Sequence, residues 1–371
     1  MKYSIAIAAG GTGGHVLPAK ALALELIKLG HKVLFMTDPR GNSYLQNSEP
    51  FSVEVLPLPL RRNGKGKVLF YWGLLKSCLT SFKLIKSRNI QSVIGFGGYP
   101  SFPLLTAAVL FRVPIVLHEQ NAVLGRVNRL FLPFTSKLAI SFPKTLKIKS
   151  VHQQKVVVTG LPVRPVLLEA RKKDYEIPPS KGYFNLFILG GSQGAQIFNQ
   201  ILPEVIASLP LTQQKRLRIF QQCPKGTIES LKKSYEKTQA KVTIKEFYEN
   251  VPELLHLSHL IIARSGAATV SEIAAVGRPA VLVPFSQALD DHQTENAKAF
   301  TGPGGGWLLP ENACLQKNLE VLIKGLMSDP KPLFSAAEKS RHFGKPKALK
   351  ELTAIMCNKT LYGKRKLGVS A

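Results

Sequence analysis

Residues 8–15 read AAGGTGGH, and residues 189–195 read LGGSQGA. Each string follows a short apolar run, residues 3–9 and 184–189, that has the make-up of a buried strand. Each also leads into a stretch with helical periodicity. A strand–glycine loop–helix junction lets backbone N–H groups converge on an anion, assisted by the helix N-terminus. Two such junctions, about a domain length apart, predict two nucleotide-binding halves facing one cleft.

Outward from these loops, apolar runs and amphipathic stretches alternate, the pattern of βα units around parallel sheets. In the first half, strands are expected near 3–9, 32–37, 53–56, 92–96, 114–117, 137–141 and 156–159. The helix after the first loop is expected to start near Pro18 and to end at Gly30. GLPVRP (160–165) punctuates this half, and 169–181 reads as a linker with a short helix. Second-half strands are expected near 184–189, 217–221, 241–244, 259–263, 280–283 and 306–309. Residues 271–276 belong to a helix stopped by Gly277, with Pro279 beyond. GKRK (363–366) reads as a frayed basic tail.

The chain has 371 residues, enough for two substantial cores, and 45% hydrophobic content fits a folded protein. Its 50 Lys+Arg against 23 Asp+Glu give a formal charge of +27. That excess favours a polyanionic partner, nucleic acid or an anionic membrane, although a generally basic composition fits it equally. Cys78, Cys223, Cys314 and Cys357 form no CxxC or zinc-type spacing and read as reduced structural thiols. The N-terminal apolar run is too short for a signal peptide and flows into the glycine loop. No stretch has the roughly 18 apolar residues of a transmembrane helix. Residues 68–86 form an amphipathic helix with Lys76, Thr80, Lys83 and Ser87 on one face. Leu75, Leu79, Phe82 and Ile85, with Trp72 a turn earlier, line another. Pattern alone favours a core-facing helix over one lying in a membrane interface.

Six segments carry chemistry. In GGTGGHV (10–16), the third position of a dinucleotide fingerprint is Val16, and the acidic residue is Asp38, which makes a poor nicotinamide site. Four glycines beside a histidine suit close approach of a phosphate-bearing ligand. His15 fits a general base, and equally a ring that caps the helix or binds a backbone carbonyl. The second loop offers N–H groups and the Ser192 hydroxyl to a diphosphate, or is a tight turn. In RSGAATVSE (264–272), Glu272 fits a carboxylate on a ribose, and equally a capping box with Thr269 or Ser265 as cap. DDHQTEN (290–296) reads as an Asp N-cap with Gln293 turned to a sugar. The chain has no DxD motif, so no bound metal is expected. HEQN (118–121) and FGGYPS (96–101) place polar and glycine residues at strand ends, where open α/β sheets bind ligands.

Together the strings GGTGGHVLPA (10–19), GFGGYPSFP (95–103), VLHEQNAVLGRVNR (116–129), GLPVR (160–164), LGGSQGAQIFNQ (189–200), ARSGAATVSEIAAVGRPAVLVPF (263–285) and DDHQTENA (290–297) resemble the MurG family of bacterial peptidoglycan glycosyltransferases. They occur in the family's order and cover most of the chain. The resemblance implies an α/β GT-B fold, two Rossmann-like domains with parallel sheets facing a cleft. The expected divisions are 1–164 for the acceptor and membrane domain and 165–342 for the donor domain. Residues 343–371 would form a helix returning to the first domain plus the basic tail.

The implied reaction is inverting, metal-independent and cofactor-free. It transfers GlcNAc from UDP-GlcNAc to the C4 hydroxyl of the MurNAc of lipid I, forming lipid II. By motif, Ser192 and Arg164 meet the diphosphate, and Ala267, Ala268, Thr269, Val270, Ser271 and Glu272 hold the nucleoside, with Glu272 on the ribose. Tyr248 would present backbone to the uracil, and Gln293 would contact the GlcNAc. Thr12, Gly13, Gly14, His15 and Asn121 would face the reaction centre. His15 is the implied base, with Glu119 as a competing carboxylate. Three places depart from the family pattern: Leu161 where Asn is common, Ala268 where Leu is frequent, and the glycine-rich 302–306.

A lipid-linked acceptor implies a peripheral enzyme at the cytoplasmic face of the inner membrane, its charge directed at anionic lipid, and for the helix 68–86 it puts the membrane-interface reading ahead of the core-facing one. The rivals are a UDP-GlcNAc 2-epimerase or glycolipid synthase, then a nucleic-acid-binding protein, which no recognised motif supports. A nicotinamide oxidoreductase ranks last.

Overall fold

The computed structural model describes residues 2–46, 48–58, 66–190 and 196–362, the side chains of 66–68, 289 and 362 excepted. The chain forms two compact units. One comprises the residues up to Pro162 together with those from Lys347 onward, and the other is Val163–Pro346.

Seven parallel strands build the first unit: β1 (Ser4–Ala8), β2 (Lys32–Thr37), β3 (Ser52–Val55), β4 (Ser92–Gly95), β5 (Ile115–Glu119), β6 (Lys137–Ile140) and β7 (Val156–Val158). Their order is β3-β2-β1-β4-β5-β6-β7, with Ala8 registered against Met36 on one side and Gly95 on the other. Six parallel strands build the second unit: β8 (Phe184–Leu189), β9 (Leu217–Gln222), β10 (Lys241–Lys245), β11 (Leu260–Ala263), β12 (Ala280–Leu282) and β13 (Gly306–Leu308). Their order is β10-β9-β8-β11-β12-β13. Thus all thirteen expected strands are present, in the two α/β units the resemblance implies. The order reverses between β1 and β4 and again between β8 and β11, which opens a crevice at the carboxyl ends of those strands.

Helices on both faces explain why the central strands read as unbroken apolar runs: Ile5–Ala8 and Leu260–Ala263 are fully buried. On one face of the first sheet, Val16, Leu22 and Leu26 pack with Leu352 and Met356 of the helix Ala348–Cys357. The end of the chain thereby completes the first core.

The helix after the first loop spans Gly13–Lys28, starting five residues before the expected Pro18. Thr12 is its N-cap residue, and the N–H groups of His15 and Val16 both reach the Thr12 carbonyl at 3.1 Å. Pro18 therefore lies inside the helix, where its missing N–H deprives only the Gly14 carbonyl. At the other end Gly30 takes φ +83°, and the N–H groups of Gly30 and His31 return to Ile27 and Leu26 at 2.8 and 3.0 Å.

The helix Gly66–Ser87 corrects the core-facing reading of Trp72, Leu75 and Leu79. Ser77, Cys78, Ser81 and Ile85 face inward, while Trp72 is 68% exposed and Leu69, Leu75 and Leu79 are exposed beside it. The inward serines satisfy themselves, Ser77 Oγ donating to the Gly73 carbonyl (2.7 Å) and Ser81 Oγ to the Ser77 carbonyl (2.8 Å). Their small side chains allow close packing on the helix Phe102–Leu110. No helix among the described residues is long and apolar enough to cross a membrane.

Candidate active site

In the first unit, one buried carboxylate ties the strand-end loops together. Asp38, at the end of β2, accepts the N–H groups of Gly11 (2.7 Å) and Gly41 (3.0 Å) on Oδ1. Its Oδ2 accepts the Tyr99 hydroxyl (3.1 Å) and Arg40 Nε (3.2 Å), and Arg40 Nη2 also donates to the Tyr99 oxygen at 2.9 Å. Gly10 is required by this closeness, because a Cβ there would stand 2.5 Å from Asp38 Oδ1. Engaged in this way, Asp38 is no ribose acceptor, which removes the physical basis for a nicotinamide site.

His15 is the third residue of its helix, with Nδ1 3.3 Å from the Gly10 carbonyl. The carbonyl can only accept, so Nδ1 carries the proton and Nε2 is the basic nitrogen. Of the alternatives left by the sequence, the ring bound to a backbone carbonyl is the one present, and that bond fixes the tautomer. Gly13 and Gly14 occupy the first two helical positions, whose N–H groups precede the intrahelical ladder and suit an anion.

Glu119, the competing carboxylate, is fully buried at the end of β5. Oε1 accepts the Asn121 N–H (3.0 Å), and Oε2 accepts the Gly125 N–H (2.9 Å) and Asn128 Nδ2 (2.9 Å). Burial pushes its pKa up against these donors. It is a brace for the 120–128 loop, and through that loop it positions the half-buried Asn121. Gln120 Nε2 donates to the Phe96 carbonyl (2.8 Å) and Asn128 Nδ2 to the His118 carbonyl (3.1 Å), which links β4 and β5 at their ends.

His118 is wholly buried, with Nε2 donating to the Gly160 carbonyl at 3.2 Å. Burial lowers its pKa to about 4, the Gly160 carbonyl opposing and His15 adding to the shift. With a folded pKa below the ordinary 6.5, its neutral form stabilises the fold above about pH 6.5, and this contribution is lost as pH falls towards 4. The unfolding free energy from urea titration should therefore fall between pH 7 and pH 5, by up to about 1.4 kcal/mol per pH unit from this group. The difference should shrink in His118→Gln; an unchanged difference would remove His118 as its source.

In the second unit, the helix Ala267–Val276 starts directly after β11, with Gly266 as N-cap and no side-chain cap bond. Glu272 is thus the sixth helical residue, three beyond the capping-box position, and the capping alternative falls. Its carboxylate pairs instead with Arg164, Nε to Oε1 at 3.2 Å and Nη2 to Oε2 at 3.5 Å. Burial raises the Glu272 pKa, with Arg164 opposing. Ala267 and Val270 are buried, so the Val270 side chain belongs to the core and only its backbone is left for a ligand. Ala268, Thr269 and Ser271 are half-buried.

Gln293 accepts the Phe285 N–H on Oε1 (3.0 Å), and its carbonyl accepts Ser265 Oγ (2.8 Å). Its Nε2 has no partner among the described residues. Asn296 Nδ2 donates to the Ser265 carbonyl at 3.0 Å, tying the two loops together. Asp291 is the N-cap residue of the helix His292–Thr301, as expected, but its side chain makes no capping bond. Asp290 and Asp291 are both left-handed (φ 55° and 52°), and Asp291 Oδ1 accepts the Thr294 hydroxyl at 2.6 Å rather than capping a backbone N–H. The Tyr248 side chain is built into the core, its hydroxyl donating to the Thr243 carbonyl (2.8 Å) and its ring edge-on to Phe187. Ser192 lies outside the described residues.

Sequence reasoning missed two residues here, Asp38 as the loop tie and Arg264. Arg264 follows β11 between Phe198 and Phe285, its Nη1 donating to Glu311 (2.6 Å) and to the Pro284 carbonyl (3.1 Å). It braces the segment that carries Phe285. No local pattern announces a pair 47 residues apart.

Residues 5–140 match the model described as glycosyltransferase family 28 N-terminal domain, and residues 185–352 match the glycosyltransferase family 28 C-terminal domain. The UDP-N-acetylglucosamine--N-acetylmuramyl-(pentapeptide) pyrophosphoryl-undecaprenol N-acetylglucosamine transferase of Rhodospirillum rubrum is 41% identical over 355 residues, covering 95% of this chain and 91% of its own. The protein of the same description from Paramagnetospirillum magneticum is 40% identical over 365 residues, 96% of each chain. Among solved structures, Acinetobacter baumannii MurG is similar with a TM-score of 0.78 at 28% identity, covering 96% of this chain and 99% of its own.

Proposed function

The chain belongs to glycosyltransferase family 28, in its MurG branch, and from this we propose that it transfers GlcNAc from UDP-GlcNAc to the C4 hydroxyl of the muramoyl sugar of lipid I, yielding lipid II with inversion. The observation that carries the reading is the extent of the match: relatives with that activity in their names align over about 95% of the chain, and the family models span both glycine loops.

In this reading His15 Nε2 removes the proton of the acceptor hydroxyl as it attacks the anomeric carbon, and UDP leaves from the opposite face. The Nδ1 bond to Gly10 holds the ring in the basic tautomer. Thr12, Gly13, Gly14 and Asn121 position the acceptor. Arg164 and the N–H groups at the start of the helix Ala267–Val276 face the charge that grows on the departing diphosphate. Glu272 takes the ribose hydroxyls, and Gln293 Nε2 takes the sugar. Backbone beside Tyr248 reads the uracil, and Ser192 in the second loop completes the diphosphate site. These groups supply the base and the charge stabilisation, so no step calls for a metal ion.

Labelled GlcNAc from UDP-GlcNAc, given to a lipid I analogue with EDTA present, tests this. Label in the lipid fraction is expected. Release of free sugar would move the assignment to an epimerase-type reaction, and loss of transfer with EDTA would overturn metal independence.

Peripheral attachment to the cytoplasmic face of the membrane belongs to the same reading. Between Val55 and Leu168 the only acidic residue is the buried Glu119, whereas lysines and arginines recur throughout. Exposed Leu69, Trp72, Leu75 and Leu79 accompany Lys76 and Lys83 on one helix. Vesicles with anionic lipid should therefore bind the protein, at about 1 kcal/mol per engaged cation. Sedimentation with the vesicles should weaken from about 0.1 to 0.5 M salt as the field is screened. Equal binding to neutral vesicles would remove the electrostatic part.

A further inference from the structure

On the first unit lies an apolar groove of about 560 Å³, within the range of about 300–1,000 Å³ usual for small-ligand sites. Pro57, Leu58 and Gly73 line it together with Leu69, Trp72 and Leu79, and among the described residues Lys76 is its charged lining residue. Pro39 also lines it, and this residue connects the groove to the glycine loop. Its neighbour Asp38 holds the Gly11 N–H at 2.7 Å. On its other side Arg40 places Nη2 3.3 Å from where a Cβ would stand on Gly11. Phe70, next to the lining residue Leu69, meets the Tyr99 ring at 6.0 Å, and Tyr99 bonds both Asp38 and Arg40. The same few residues thus border the groove and the glycine loop at Gly11, two residues before the helix N-terminus at Gly13.

We propose that this groove receives the first isoprenoid units of the acceptor's polyprenyl chain, with the acceptor diphosphate held between Arg40 and the Gly13–Gly14 N–H groups; the inference rests on the lipid-linked acceptor argued above. A hydrocarbon chain fits the lining because it brings no polar group that must be satisfied. A peptide would bury backbone N–H and C=O groups among prolines and leucines without partners. The cations fall where the chemistry requires them, Arg40 at the end that meets the diphosphate and Lys76 along the wall. Trp72 and Leu79 belong both to the groove and to the exposed apolar face, so the remainder of the chain passes from the groove directly into the bilayer.

The test uses the full chain without vesicles, and soluble diphosphate-linked acceptor analogues with prenyl tails of ten and twenty carbons. The wild type should favour the longer tail in kcat/KM by at least about tenfold, since each buried methylene adds to binding. Gly73→Leu, which fills the groove, should bring that preference below about twofold, and Leu79→Gln should reduce it in the same direction. Turnover of the ten-carbon analogue by each variant reports that its first unit is folded. A wild type indifferent to tail length, or variants that keep the full preference, would overturn the groove assignment. Transfer to neither analogue would instead overturn the lipid-linked acceptor itself. Self-association abolished by Gly73→Leu would give the groove to a second copy of the chain, against the proposal.

Discussion

Replacing His15 with alanine lowers kcat by about 10²- to 10⁴-fold, the usual worth of a positioned general base, and leaves UDP-GlcNAc affinity within about twofold. The expectation rests on two features of the first unit. The Nδ1 contact to the Gly10 carbonyl at 3.3 Å makes Nε2 the basic nitrogen, and Glu119 has its oxygens engaged by three donors. Steady-state kinetics with a lipid I analogue measure the loss, and His15→Gln, which keeps a polar side chain but no base, should fall as far as alanine. Turnover surviving in a folded His15→Ala protein would return the role of base to another group. Glu119→Ala should fail differently. It leaves the Gly125 N–H without its acceptor and the Asn128 amide with only the His118 carbonyl, at about 1–3 kcal/mol for each bond lost, so its defect appears in stability before it appears in turnover.

Glu272→Ala should raise the KM for UDP-GlcNAc by about 10²-fold, with a much smaller change in kcat. Two hydrogen bonds from hydroxyls to a carboxylate are worth about 1.5–3 kcal/mol each, part of which is recovered by water in the variant. Arg164 already holds the carboxylate in place, so little ordering remains to be done when a ribose arrives. A donor with 2′-deoxyribose separates the roles of this pair. The wild type should discriminate against it by about tenfold or more, and Glu272→Ala should not. A variant that binds poorly yet still discriminates would mean that Glu272 serves only to aim Arg164.

The strands were legible because burial on both faces leaves no room for polar residues, as in the runs before each glycine loop. Gly30 and Gly277 were legible because each takes the left-handed conformation that ends its helix. Pro18 misled for a physical reason: the helix starts where Thr12 and the glycines turn the chain, and a proline in its second turn is tolerated. The helix Gly66–Ser87 misled because serines and a cysteine face inward, so ranking side chains by hydrophobicity selected the wrong face. The strand-end positions of His15 and Glu272 were legible because each lies in one short segment with the strand before it. Asp38 with Tyr99 and Arg264 with Glu311 could not, since their partners come together only when the sheets form.

The packing of Leu352 and Met356 against Val16 and Leu22 sets an order on synthesis. A ribosome finishes everything the second unit needs, up to Pro346, before it has made the helix that closes the first. The earliest residues to emerge must therefore wait for nearly the last. Meanwhile, the surface that will receive Leu352 and Met356 stays open to chaperones and to aggregation. A premature stop shortly before Ala348 would leave a finished second unit joined to a first unit with an uncovered core, a product that proteolysis should remove before it reaches the membrane.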